Sequence, residues 1–165
     1  MNFNPSATIA LLLSVLSPFS ASADPAQIER GAYLATIMDC AGCHMPRDNE
    51  GVPMFEAGLS GGTIGFELPG LGVFWAPNLT PSDSGLGRWT VEDIEQALRY
   101  GRRPDGRVLV PVMPWPSYGQ MNDKDINDLI AFLVSMEPVE AQKLGPEPSG
   151  ETAKAPFFRV TVPSN

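Results

Sequence analysis

The chain has 165 residues, of which 19 are acidic and 11 basic, so its formal net charge at pH 7 is −8. That charge argues against nucleic acids and anionic membrane surfaces as partners, and the length suits a single domain. The 17 prolines and 16 glycines interrupt the chain often and leave room for few regular elements.

The N-terminus has the pattern of an export signal. A short apolar run at residues 9–16 precedes the small-residue cleavage pattern of residues 21–23. The run is too short to cross a bilayer comfortably. No Lys or Arg comes before Arg30, so an uncleaved anchor or a misassigned start is the alternative. We expect a cleaved signal peptide at residues 1–23, a periplasmic mature protein, and no membrane span after cleavage.

Three helices are predicted after the signal, because apolar residues recur at helical spacing in three segments. Two of the segments start at residues that favour helix N-termini, and the second stops at a glycine. In chain order they are Pro25–Met38, a segment that Thr90 opens and Gly101 stops, and a segment that Asn122 or Asp123 caps and that continues through Met136.

Long irregular stretches separate these helices. Residues 46–87 and 104–119 are predicted to be loops, because prolines and glycines punctuate them. Short extended pieces are expected near residues 61–66 and 72–76. The first loop directly follows the motif described next, so we expect it to surround the functional site.

The only cysteines and the only histidine of the chain lie in one pentapeptide, Cys40-Ala41-Gly42-Cys43-His44. C-x-x-C-H is the signature of covalent c-type haem attachment. The two thiols form thioether bonds to the haem, and the imidazole binds the iron. A structural zinc site needs about four Cys or His ligands, which is more than the chain contains. A thioredoxin-like dithiol is the main alternative, although the surrounding βαβ pattern is missing; an inert buried pair is a weaker one.

The second axial ligand of the iron is expected to be a methionine, because the chain has no second histidine. Prolines on both sides of Met113 stiffen the backbone that would present it, and the segment joins the second predicted helix to the third. From position alone, Met121 is the alternative. The candidates are Met38, Met45, Met54, Met113, Met121 and Met136.

Further segments strengthen the haem interpretation, and together with C-x-x-C-H they are far more specific than that motif alone. Over roughly residues 28–140 the chain resembles class I cytochromes c, and more closely the monohaem cytochrome c domains and subunits of periplasmic dehydrogenases of the alcohol and aldehyde type. The segments that carry the resemblance are Arg30–Leu34, Asp39–His44, Trp75–Pro81, Gly85–Thr90 and Val112–Tyr118.

The resemblance implies an all-α, class I cytochrome c-like fold, with about three main helices and long loops around one covalently bound haem c. It implies that residues 24–140 form the cytochrome c domain, followed by a Pro-containing tail at 141–165. In the tail, Phe157 and Phe158 are expected to dock on the domain, because two exposed phenylalanines are costly.

Site roles follow from the same resemblance. Cys40 and Cys43 hold the haem, and His44 and Met113 are the axial ligands. The indole N–H of Trp89 is expected to bond a haem propionate, unless Trp89 is a core residue.

Two further residues are expected to support the site. Asn78 is expected to bond the backbone or a propionate in the same region. A backbone carbonyl in the loop after His44 is expected to fix the imidazole tautomer, with Pro46 and Pro53 as candidates.

Ligation by His and Met closes both axial positions and leaves no place for a substrate on the iron. We therefore expect an electron-transfer protein without catalytic chemistry. It would take single electrons from a periplasmic dehydrogenase, as its subunit or its acceptor, and pass them to a cytochrome or an oxidase. The alternatives are a peroxidase-like haem enzyme with an open or labile sixth site and a haem-based sensor subunit.

One segment is basic in an otherwise acidic chain. Four arginines stand close together with Asp105 as the only acid, and their charge favours docking to an acidic partner surface. A solvated helix end with favourable cations is the alternative. The arginines are Arg99, Arg102, Arg103 and Arg107.

Overall fold

The computed structural model describes residues 24–161 and residue 163, so the predicted signal peptide at 1–23 lies outside the described residues. No helix in the described part combines the length and apolarity needed to cross a membrane. In chain order the elements are α1 (Pro25–Ile37), α2 (Cys40–His44), a 3₁₀ turn (Phe55–Ala57), β1 (Gly65–Leu68), β2 (Gly72–Phe74), α3 (Val91–Tyr100), α4 (Trp115–Tyr118), α5 (Asp123–Ser135) and β3 (Phe157–Phe158).

The three predicted main helices are present as α1, α3 and α5, and local end signals explain their bounds. Thr90 and Asp93 form a reciprocal capping box at the start of α3. Gly101 ends that helix in the left-handed conformation, with a φ of 66°. The Asn122 side chain caps α5 by accepting a hydrogen bond from a backbone N–H of its first turn.

The expectation of an all-α fold is wrong, because the described chain also contains a three-stranded sheet in the order β2-β1-β3. β1 and β2 form an antiparallel hairpin in which Phe66 pairs with Phe74. β3 joins β1 in parallel, with Gly65 opposite Phe157. The hairpin comes from the extended pieces predicted in the first loop. The third strand of the sheet comes from the tail, and local sequence patterns do not predict a pairing between segments so far apart in sequence.

The tail docks on the domain mainly through hydrogen bonds. The carbonyl of Pro156 accepts from the backbone N–H of Gly65 at 2.8 Å and from the indole N–H of Trp75 at 3.0 Å. Arg159 forms an ion pair with Glu67 on β1. The expected docking of the two phenylalanines is confirmed, since both pair with β1 and the Phe158 ring lies 5.6 Å from that of Phe66, although Phe158 stays 61% exposed.

The core is built around the crossing of α1 and α5. A Cβ at Gly31 would lie 2.0 Å from the carbonyl oxygen of Asp128, so the two helices approach this closely only because residue 31 is glycine. The close approach joins their apolar faces with those of α3 and the first loop. The buried members of this core cluster are Leu34, Ala35, Leu59, Leu86, Ile94, Leu98, Ile126, Leu129, Ile130 and Leu133.

Candidate haem site

The C-x-x-C-H residues form α2, a short helix that begins at an unusual N-cap. Asp39 has a φ of 54° and a ψ of 42°, in the left-handed region that few residues other than glycine tolerate. Its carboxylate accepts a hydrogen bond from the N–H of Gly42 at 3.1 Å. A Cβ on Gly42 would lie 2.2 Å from that carboxylate, so the cap needs glycine there. The helix places Cys40 and Cys43, three residues apart, on one face.

The imidazole of His44 is buried, and a main-chain carbonyl fixes its tautomer. Its Nδ1 lies 2.7 Å from the carbonyl oxygen of Pro77. Because a carbonyl only accepts, Nδ1 carries the proton and Nε2 is left as the nitrogen that can bind a metal. The expectation of a backbone carbonyl in the loop after His44 is confirmed, because Pro77 lies in the predicted loop at 46–87, but neither Pro46 nor Pro53 is the acceptor. The carbonyl of Pro46 instead accepts from the N–H of Met54 at 2.9 Å.

Burial sets the protonation of the motif side chains. It lowers the pKa of His44, which favours the neutral imidazole that binds metals. Burial also raises the pKa of the Cys40 thiol to about 11, and it raises the pKa of Cys43, with the Asp39 carboxylate adding to both. Redox-active dithiols have a lowered thiol pKa instead. This environment argues against the thioredoxin-like alternative.

The side chains of α2 lie beside the apolar core. Cys40 and Ala41 pack against the core cluster as partly buried side chains, and Leu79 and Trp89 pack against the same cluster. The two thiols are free of any disulfide. Two free thiols on one helix face and an imidazole with Nε2 available match the donor set of a c-type haem.

Met113 lies in a turn that backbone hydrogen bonds hold in place. Its N–H donates to the carbonyl of Val110 at 3.2 Å, and its own carbonyl accepts from the N–H of Trp115 at 2.8 Å. Met54, by contrast, is 37% exposed. The turn brings Met113 to the core cluster against which Cys40 also packs. The candidate methionines that pack against this cluster are Met38, Met113, Met121 and Met136.

Tyr118 belongs to this region, although sequence reasoning did not single it out. Its hydroxyl donates to the carbonyl of Met38 at 3.3 Å, and burial raises its pKa to about 12. It therefore connects α4, which follows Met113, to the end of α1, which precedes Cys40. The contact joins residues 80 positions apart, and no local motif announces it.

Asn78, the residue after Pro77, is buried and bonds to protein atoms. Its Nδ2 donates to the carbonyl of Val139 at 2.7 Å and to two serine hydroxyls. Its Oδ1 accepts from the N–H of Thr80 at 2.8 Å. Of the two roles expected for Asn78, the structure therefore has the one in which it bonds the backbone.

The predicted basic segment offers less free charge than its sequence suggests. The Arg99 side chain is only 12% exposed and is paired with two carboxylates. Asp105 pairs with both Arg103 and Arg107, and the hydrogen bond from Arg107 holds the pKa of Asp105 at about 2. The Arg103 guanidinium also lies over the partly buried ring of Trp89, 5.1 Å from its centroid. Most of these arginines therefore have structural contacts.

Comparison with known proteins agrees with this geometry. The family model described as cytochrome c matches residues 28–137. The cytochrome subunit of fructose dehydrogenase from Gluconobacter japonicus is 38% identical, over 75% of this chain and 24% of that protein. The cytochrome c subunit of the quinone alcohol dehydrogenase from Gluconobacter oxydans (strain 621H) is 36% identical, over 76% of this chain and 25% of that protein.

A third relative is not named as a dehydrogenase subunit. A diheme cytochrome c-type protein of Cereibacter sphaeroides is 36% identical, over 68% of this chain and 37% of that protein. The matches thus span about a quarter to a third of the length of these curated relatives. The similarity therefore covers only a part of each of these longer proteins.

Proposed function

We propose that this protein, which belongs to the cytochrome c family, is a periplasmic monohaem electron carrier. Its single C-x-x-C-H motif gives one covalently bound haem c. It takes single electrons from a dehydrogenase, as its subunit or its acceptor, and passes them to another cytochrome or an oxidase. The relatives named as cytochrome subunits of fructose and alcohol dehydrogenases support this role. The protein performs no catalytic chemistry of its own.

Four residues hold the haem in this proposal. Cys40 and Cys43 would form the thioethers to the haem, and His44 and Met113 would be the two ligands of its iron. The haem supplies an iron that exchanges one electron between its ferric and ferrous states. The single observation that carries the assignment is the buried His44 imidazole, whose Nδ1 lies 2.7 Å from the carbonyl oxygen of Pro77. A held imidazole changes little in geometry when the iron changes charge, which keeps the cost of electron transfer low.

The proposal extends to the organisation of the whole chain. Residues 1–23 act as a cleaved export signal, residues 24–140 form the cytochrome c domain, and residues 141–165 form its tail. Export is consistent with the C-x-x-C-H motif, because c-type haem is attached outside the bacterial cytoplasm. The acidic net charge of −8 is compatible with a dispersed periplasmic protein.

The test is purification of the tagged protein from its native periplasm at low salt. The expected product carries haem that survives denaturation and is reduced by a co-purifying or added dehydrogenase. A stoichiometric dehydrogenase would identify a dedicated subunit, whereas a protein that arrives alone would be a diffusing carrier. Rapid carbon monoxide binding by the native ferrous protein would instead support the peroxidase-like alternative. Failure to exchange electrons with any dehydrogenase would support the sensor.

A further inference from the structure

The loop that carries the Pro77 carbonyl is hydrogen-bonded, on both sides of that carbonyl, to the part of the chain that follows α5. Two residues before Pro77, the indole N–H of Trp75 donates to the carbonyl of Pro156 at 3.0 Å. One residue after Pro77, Nδ2 of Asn78 donates to the carbonyl of Val139 at 2.7 Å. The acceptor that holds the His44 imidazole therefore lies between two points of attachment to the chain that follows α5.

The attachment at Asn78 is part of a dense network. Thr80 exchanges hydrogen bonds with Val139, its hydroxyl donating to the Val139 carbonyl and accepting from the Val139 N–H, both at 3.1 Å. The Glu140 carboxylate accepts from the N–H of Asp83 at 2.9 Å and from the N–H of Ser84 at 3.2 Å. Asn78 and Thr80 are 6% and 1% exposed. Buried hydrogen bonds of this kind are costly to leave unmade, so they hold the loop in one conformation.

The opposite side of the same loop rests on the C-x-x-C-H segment. The N–H of Gly62 donates to the carbonyl of Ala76 at 2.9 Å, and the N–H of Leu79 donates to the carbonyl of Leu59 at 2.9 Å. The N–H of Gly61 in turn donates to the carbonyl of His44 at 2.8 Å. The loop is therefore hydrogen-bonded on two sides. On one side it contacts residues 59–62, which in turn contact His44, and on the other side it contacts the chain that follows α5.

We infer that the chain after α5 is a positioning element for the iron ligand: Val139, at the end of the domain, and Pro156, in the tail, fix the loop at Asn78 and Trp75 and thereby hold the Pro77 carbonyl on Nδ1 of His44. This inference rests on the proposed role of His44 as an iron ligand. A carbonyl held on Nδ1 increases the basicity of the other ring nitrogen, and a more basic imidazole stabilises ferric iron. The chain after α5 therefore tunes the reduction potential through Trp75 and Asn78, neither of which binds the iron.

The test compares two variants with a matched control in the holoprotein. Trp75→Phe removes the N–H that reaches Pro156, together with part of the buried indole, and keeps an aromatic ring. Asn78→Ala removes the bond to Val139 and also the bonds to Thr80 and to the two serines. Thr152→Ala is the control, because its hydroxyl bonds within the tail to the carbonyl of Ser149 at 3.0 Å. The readouts are the exchange rate of the His44 Nδ1 proton in the ferrous protein, followed by NMR, and the midpoint potential.

We expect exchange to become about fivefold faster in Trp75→Phe, the effect of losing one ordinary hydrogen bond, and faster still in Asn78→Ala. The potential should rise in both variants and stay unchanged in Thr152→Ala. Unchanged exchange and potential in a folded Trp75→Phe protein would overturn the inference, and this milder variant decides the matter if Asn78→Ala fails to fold. A wild-type protein that lacks covalent haem or histidine ligation would overturn the proposed function instead.

Discussion

The imidazole of His44 and the carbonyl of Pro77 meet at 2.7 Å across 33 positions of sequence. The contact places the proton on Nδ1 and leaves Nε2 as the nitrogen available to a metal, and it makes Pro77, far from C-x-x-C-H in sequence, part of the surroundings of His44. The predictions below separate the groups that hold the haem from those that shape its surroundings.

Replacement of the proposed methionine ligand should open the iron. In Met113→Ala the absorption band of methionine bound to ferric haem should disappear, the midpoint potential should fall, and carbon monoxide should bind the ferrous protein. The reason is that a thioether favours ferrous iron and blocks the sixth position. Met121→Leu, a change at another methionine on the same core cluster, is the control and should keep the band. Survival of the band in Met113→Ala would show that another residue binds the iron.

The thiols should be fully consumed in the mature protein. Mass spectrometry of the denatured protein should show one added haem and no thiol that reacts with an alkylating reagent. Cys40→Ala should keep haem through one thioether, and the double variant Cys40→Ala, Cys43→Ala should lose haem on denaturation. Two reactive thiols in the protein isolated from the periplasm would instead point to a dithiol.

The cap of α2 should depend on Asp39. Asp39→Ala removes the acceptor for the Gly42 N–H and places a non-glycine residue without a capping side chain in the left-handed region. We expect it to lower the free energy of unfolding by about 1–2 kcal/mol. Asp39→Asn keeps a capping oxygen and tolerates the left-handed conformation, so it should cost much less. Urea unfolding of the two holoproteins measures the difference, and equal losses would contradict the capping role.

The docking of β3 should weaken in acid. The hydrogen bond from Arg159 holds the pKa of Glu67 below its usual value of 4.5. A carboxyl whose folded pKa is depressed stabilises the fold above its unfolded pKa, and this contribution is lost as the pH falls through the folded value. The protection factor of the β3 amides, which is the ratio of the intrinsic to the observed exchange rate, should therefore fall below pH 4.5.

The control for this pH dependence is a carboxylate elsewhere. Glu67→Gln should exchange rapidly in β3 at neutral pH and lose most of the added acid sensitivity. Glu92→Gln, in the first turn of α3, should behave like the native protein. Acid sensitivity that persists in Glu67→Gln would assign the effect to another group.

Sequence reasoning succeeded where the determining signal was local. The C-x-x-C-H pentapeptide, Thr90 at the start of α3 and Gly101 at its end are each signals that involve only a few neighbouring residues. Together with apolar residues at helical spacing, these short patterns predicted the three main helices and the cofactor class.

What sequence reasoning missed depends on long-range contacts. The acceptor of His44 was correctly expected in the loop that follows the motif, but the candidates named were Pro46 and Pro53, near its start, whereas the acceptor is Pro77, 33 positions from the histidine. The all-α expectation failed for the same reason, because the hairpin near residue 65 gains its third strand from Phe157 and Phe158. No local residue pattern predicts that Pro77 contacts His44 or that β3 pairs with β1.

The tail has one more consequence, for the behaviour of the molecule in solution. A short hairpin with open edges can accept a strand from a neighbouring molecule, and chains of such contacts grow into aggregates. In this protein the outer edge of β2 is occupied by Glu147, which exchanges two hydrogen bonds with Val73 at 2.8 and 2.9 Å, and the outer edge of β1 is occupied by β3. The tail therefore covers both edges of the β1–β2 hairpin, and on the β3 side it leaves as the outer strand only the two residues of β3, one of which is the exposed Phe158.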